Sequence, residues 1–165
     1  METIVFQFSE EKIAKSNYIN EDTILSVDNR SCKDCRALAE EERTRRVLWL
    51  VDQFLPSGMF TVVDAHTIRY EGGMNKFNEA FICQINHRTK EAGKNIEYLY
   101  DSVKDLEEYM LYPLGTGVSF YICGSNYDVA PDRQLDFMWW VNTIDEGTLL
   151  HIGNVVVYEL SLIHI

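Results

Sequence analysis

The chain has 165 residues, 46% hydrophobic and 25% charged, which is the composition of a folded domain and not of a disordered or low-complexity segment. Its formal charge of −11 excludes unassisted binding to nucleic acid or an anionic membrane, since both demand a basic footprint. The longest apolar runs, Val47 to Val51, Phe137 to Val141 and Val155 to Tyr158, fall far short of the roughly 20 residues of a membrane span.

Thr3 to Phe8 alternates Ile4, Phe6 and Phe8 with Val5 and Gln7, the period of a first strand. Ser9 followed by Glu10 and Glu11 predicts a short capped helix, because acids in the first turn complement the helix dipole. Thr23 to Val27 is a second β-like run, closed by Asp28-Asn29. A long helix is expected from Ser31 or Asp34 to about Leu55, where Pro56-Ser57-Gly58 stops it. Glu41 with Arg45 and Glu42 with Arg46 give that helix a solvated flank. Val47, Leu48, Val51, Phe54 and Leu55 give it a side facing the core.

Phe60 to Tyr70 is rich in β-branched and aromatic residues and reads as one strand. Two periods then compete. Met74, Phe77, Phe81 and Ile85 recur at helical spacing before Gly93, whereas Phe81, Cys83, Ile85 and His87 alternate; the helix is favoured. Ser102 with Asp105 opens a further helix that runs through Leu111 until Pro113 ends it.

The last third reads as an antiparallel meander: Val118 to Cys123, Leu135 to Val141, then a hairpin of Leu149–Ile152 and Val155–Tyr158 across Gly153-Asn154. The expected fold is a single α+β domain over residues 1–160, two or three helices packed on a largely antiparallel sheet with a C-terminal β-meander. The final run Ser161-Leu162-Ile163-His164-Ile165 reads as a non-native read-through of the kind left by microbial-community sequencing. The native end is therefore expected to differ after Leu160, and His164 is set aside.

Charge is distributed unevenly. Residues 101–165 hold 10 acids and 2 bases, so −8 of the net −11 lies there. Asp101, Asp105 and Glu108 stand at i, i+4 and i+7 on one helical face; Asp128 and Asp132 lie in the long loop 124–133, and Asp136 follows it. Carboxylates at such spacing can imitate a phosphate track and steer a basic cleft toward themselves, or serve only as a solvated surface. Trp139 and Trp140 point to opposite sides if their segment is a strand, so one enters the core and the other is an interface anchor. The function expected from these residues is non-enzymatic. An acidic face binds a protein partner with a basic surface, in one version as a phage or mobile-element inhibitor that mimics nucleic acid.

The alternative is chemical. Cys32-Lys33-Asp34-Cys35, placed at an expected helix N-terminus, has a dipole and nearby Lys33 and Arg36 to stabilise a thiolate on Cys32, with Cys35 as resolving thiol. The order of strand, C-x-x-C, helix and strand between Thr23 and Tyr70 superficially resembles thioredoxin, but no Trp-Cys or Gly-Pro surrounds the cysteines and Asp34 opposes the thiolate. Zinc is the other use of Cys32 and Cys35, although Cys83 and Cys123 are single and not a second pair. Asp64 and His66, with His87 or His151, could form a metal site or an acid–base pair, but no metal-ligand motif includes them and a hydrogen-bonded strand histidine is the expectation. No nucleophile elbow, phosphate loop or dinucleotide loop is present, so no cofactor is expected. With neither a basic n-region nor an apolar h-region in METIVFQFSEEK, a cytoplasmic protein with reduced thiols is expected.

Overall fold

The computed structural model describes residues 2–23, 32–73, 117–123 and 134–160, with helical positions 75, 76, 78, 79, 82, 83, 86 and 90 in between. In chain order the elements are β1 (Glu2–Ser9), β2 (Cys32–Ala37), α1 (Glu40–Trp49), β3 (Phe60–Asp64), β4 (Thr67–Tyr70), β5 (Val118–Ile122), α2 (Gln134–Val141) and β6 (Leu149–Leu160). A π-helical turn, Leu50–Phe54, continues α1 up to Leu55-Pro56. The result is an α+β fold with a mixed, mostly antiparallel six-stranded sheet.

Strand β6 organises the sheet because it is long, 12 residues, and apolar on both faces. Antiparallel β1 pairs along one of its edges. On the other edge β4 pairs with its start and β2 with its end. Outside β4 lies antiparallel β3, and outside β1 lies β5, the parallel member.

Both faces of β1 are covered. Ile4, Phe6 and Phe8 enter the main core with Val47, Leu50 and Val51 from the first helical unit and Phe137 and Trp140 from α2. Its centre is aromatic: the rings of Phe120 and Phe137 stack at 4.1 Å, and Phe8 lies 5.4 Å from Phe137. On the opposite face Val5, Ile19, Val156 and Tyr158 make a smaller cluster.

The expected hairpin across Gly153-Asn154 is a continuous strand instead. Phe6 registers with Val155 and Phe8 with Ile152, so the Gly153-Asn154 pair stands opposite the single residue Gln7. Such a β-bulge inserts one extra residue and shifts the alternation by one. That shift lets Leu150, Ile152, Val155 and Val157 all reach the main core.

Fully buried Gln7 holds the bulge. Its Oε1 accepts from Asn154 N at 2.9 Å and Ile19 N at 3.0 Å, and its Nε2 donates to Asn17 O at 2.7 Å and Cys123 Sγ at 3.1 Å. All hydrogen-bonding capacity of the amide is used, which removes the cost of burying it.

Other expectations are corrected by tertiary pairing. Ser9 ends β1, and its Oγ accepts from Glu11 N at 3.1 Å in a local turn, with no helix over Glu10 and Glu11. Thr23 is helical together with Glu21 and Asp22, while 24–27 lie outside the described residues. The helix expected from Ser31 or Asp34 begins only at Glu40, because Cys32–Ala37 is drawn onto the open edge of β6. Glu42 reaches Arg36 of β2 at 3.2 Å. Leu48, assigned to the core side, is exposed, whereas Val47, Val51 and Leu55 are buried as expected.

Phe60 to Tyr70 is a hairpin, not one strand. Asp64 Oδ1 accepts from His66 N at 2.7 Å and closes its turn. The described positions from 75 to 90 are helical, as favoured, while the helix expected over 102–111 lies outside the described residues. Leu135 to Val141 belongs to helix α2, so among the described residues the last third runs strand, helix, strand in place of the expected meander. Among the described residues no helix is long and apolar enough to cross a membrane.

Candidate functional site

Helix α2 decides how the tryptophan pair is presented. Phe137, Trp140, Val141 and Ile144 are buried at i, i+3, i+4 and i+7, one face of a helix and its following turn. Trp140 sits in the core, 6.1 Å from the Phe8 ring and 5.9 Å from Phe137. Its side chain is therefore not presented at the surface. Trp139, rotated by about one-quarter turn, is 53% exposed. The two residues diverge as the sequence implied, but by helical rotation and not strand alternation.

Of the expected acidic face, Asp101, Asp105, Glu108, Asp128 and Asp132 lie outside the described residues. Asp136 is half-buried on α2, and Asp145 and Glu146 are exposed in the turn that leads from it to β6. That turn is tied down: Gly147 N donates to Tyr70 O at 2.7 Å, and Tyr70 N to Thr148 O at 2.9 Å. The Glu146 carboxylate lies over Gly72, whose φ of +92° and missing side chain leave room for it. Burial, and secondarily Glu146, pushes the Tyr70 phenol above its usual range.

The cysteine pair stands on a strand and not at the expected helix N-terminus. Cys32 opens β2 opposite Leu160, and Cys35 is half-buried against the Val5–Tyr158 cluster. Asp34, between them, adopts φ 53° where the β2–β6 register shifts, a left-handed conformation that Asp tolerates better than most residues. The pair is in a strand, so the helix dipole invoked for a Cys32 thiolate has no counterpart. Cys83 is exposed on the helical stretch, and Cys123, just past β5, accepts from Gln7.

A polar group that the sequence did not single out surrounds Arg43. Between the β4-paired and β2-paired parts of β6, the strand edge has no strand neighbour among the described residues. There His66 O accepts from Ile152 N at 2.7 Å, Leu38 N donates to Val155 O at 2.9 Å, and Arg43 Nη2 donates to Ile152 O at 2.7 Å. Arg43 Nε also donates to Ala65 O at 3.4 Å. The side chain is 5% exposed, and it completes the ladder as a strand otherwise would.

Burial pushes the Arg43 guanidinium down from its usual range, while Tyr18, Glu40 and Asp64 favour its charge. Glu40 Oε1 also lies 3.3 Å from His66 Nε2, both side chains being exposed. His151 registers with Thr67 on β4 and Ser9 on β1. Among the described residues no group of three or more His, Cys, Asp or Glu side chains converges as metal ligands would.

Comparison of the chain with protein-family models, curated proteins and solved structures finds no match to any of them. The geometry of the Arg43 group is structural: the guanidinium donates to the main-chain carbonyls of Ile152 and Ala65. Its sequence signal was the helical spacing of Arg43 with Val47, Leu50 and Val51, a charged residue in an apolar stripe.

Proposed function

We propose that the protein is a non-enzymatic, acidic interaction protein that docks on a basic protein surface, with Trp139 as its aromatic anchor. The observation carrying this reading is the mounting of Trp139. It is 53% exposed on a helix whose next residue, Trp140, is locked in the core. An anchor held this way loses little conformational freedom on binding, which favours affinity. The chain's charge of −11 supplies steering toward a basic partner and keeps nucleic acid itself away. Asp101, Asp105, Glu108, Asp128 and Asp132 are the acids assigned to the docking face in this proposal, and Trp140 is not part of it. Mimicry of nucleic acid by a phage or mobile-element inhibitor in the cytoplasm is the concrete version.

The test is displacement of fluorescein-labelled duplex DNA from a lysine-rich histone by the full chain, read by anisotropy. Displacement is expected at low salt and should weaken steeply as salt rises. Trp139→Ala should weaken it about 30-fold, the loss of about 2 kcal/mol that marks a hot spot. Converting Asp101, Asp105 and Glu108 to amides should flatten the salt dependence. The proposal fails if nothing is displaced at low salt, if the effect is unchanged in high salt, or if both sets of substitutions are silent.

A further inference from the structure

We draw no further inference here: the strongest candidate, the outer edge of strand β3 with Val63 exposed beside it, is a sheet margin for which nothing in the structure shows what covers it.

Discussion

Replacing Gly153 by alanine tests the bulge that sets the register of β6. The backbone at Gly153 lies outside the left-handed region, so alanine is conformationally allowed and the cost comes from contact. Its methyl group would meet Gln7 Oε1 and stand 2.6 Å from Gln7 Cδ and 2.9 Å from Ile13 Cδ1. Gln7 cannot swing aside without giving up the N–H groups of Ile19 and Asn154.

Overpacking of this kind costs about 2 kcal/mol, and one buried N–H left unpaired costs about 2 more. The smaller unfolded-state freedom of alanine offsets about 1 kcal/mol, leaving a net loss of about 3. For a chain of this size that lowers Tm by about 6–12 °C. Thermal unfolding followed by tryptophan fluorescence measures it, in the parent and in a Gln7→Ala background. Gln7→Ala is itself destabilising, but it removes the obstructing amide, so Gly153→Ala added to it should cost less than about 1 kcal/mol. A Tm for Gly153→Ala within 2 °C of the parent (about 0.5–1 kcal/mol for a chain of this size), or simple additivity of the two substitutions, would refute the bulge argument.

Arg43→Met should destabilise by about 2–4 kcal/mol in urea unfolding, because the Ile152 and Ala65 carbonyls lose their guanidinium donors; Arg43→Lys should recover part of this, and equal losses for both would contradict it. Glu42 is held below its ordinary carboxylate range, first by the hydrogen bond from Arg36. A lowered folded pKa gives stability that is present above the unfolded value and lost as pH falls through the folded one. Carboxyl titration by NMR should therefore show Glu42 rising toward its ordinary range in Arg36→Gln, with Arg45 and Arg46 still holding it down in part. Trp140→Ala should cost about 3–5 kcal/mol, and Trp139→Ala less than about 1, in thermal unfolding. Similar losses at the two positions would undo the assignment of α2.

Legibility varied along the chain with how local the deciding interactions are. The alternation of Ile4, Phe6 and Phe8 gave β1 directly, and Val118 to Ile122 likewise gave β5, because each pattern matches the face that becomes buried. Phe137, Trp140, Val141 and Ile144 carried a readable helical period, but the aromatic and apolar density of Phe137 to Val141 imitates a strand. Cys32–Ala37 carried no β signal at all: it is a strand because β6 offers unpaired main-chain groups. The expected thiol site therefore followed a helix boundary that moved to Glu40, and the exposed member of the tryptophan pair became identifiable only once that segment was a helix.

The sequence by itself determined the α+β class, the acidic charge, and the apolar positions that fill most of the core. Those properties depend on composition and short-range period, which every residue carries with it. Tertiary structure alone decided that Gly153-Asn154 is a bulge and not a turn, that Arg43 fills a gap in a sheet edge, and that Trp139 and not Trp140 is exposed. Each depends on a partner remote in the chain: Gln7 for the bulge, Ile152 for the guanidinium, Phe8 for the buried indole. A buried polar group must find its hydrogen bond wherever the fold places one, and no local pattern encodes that meeting.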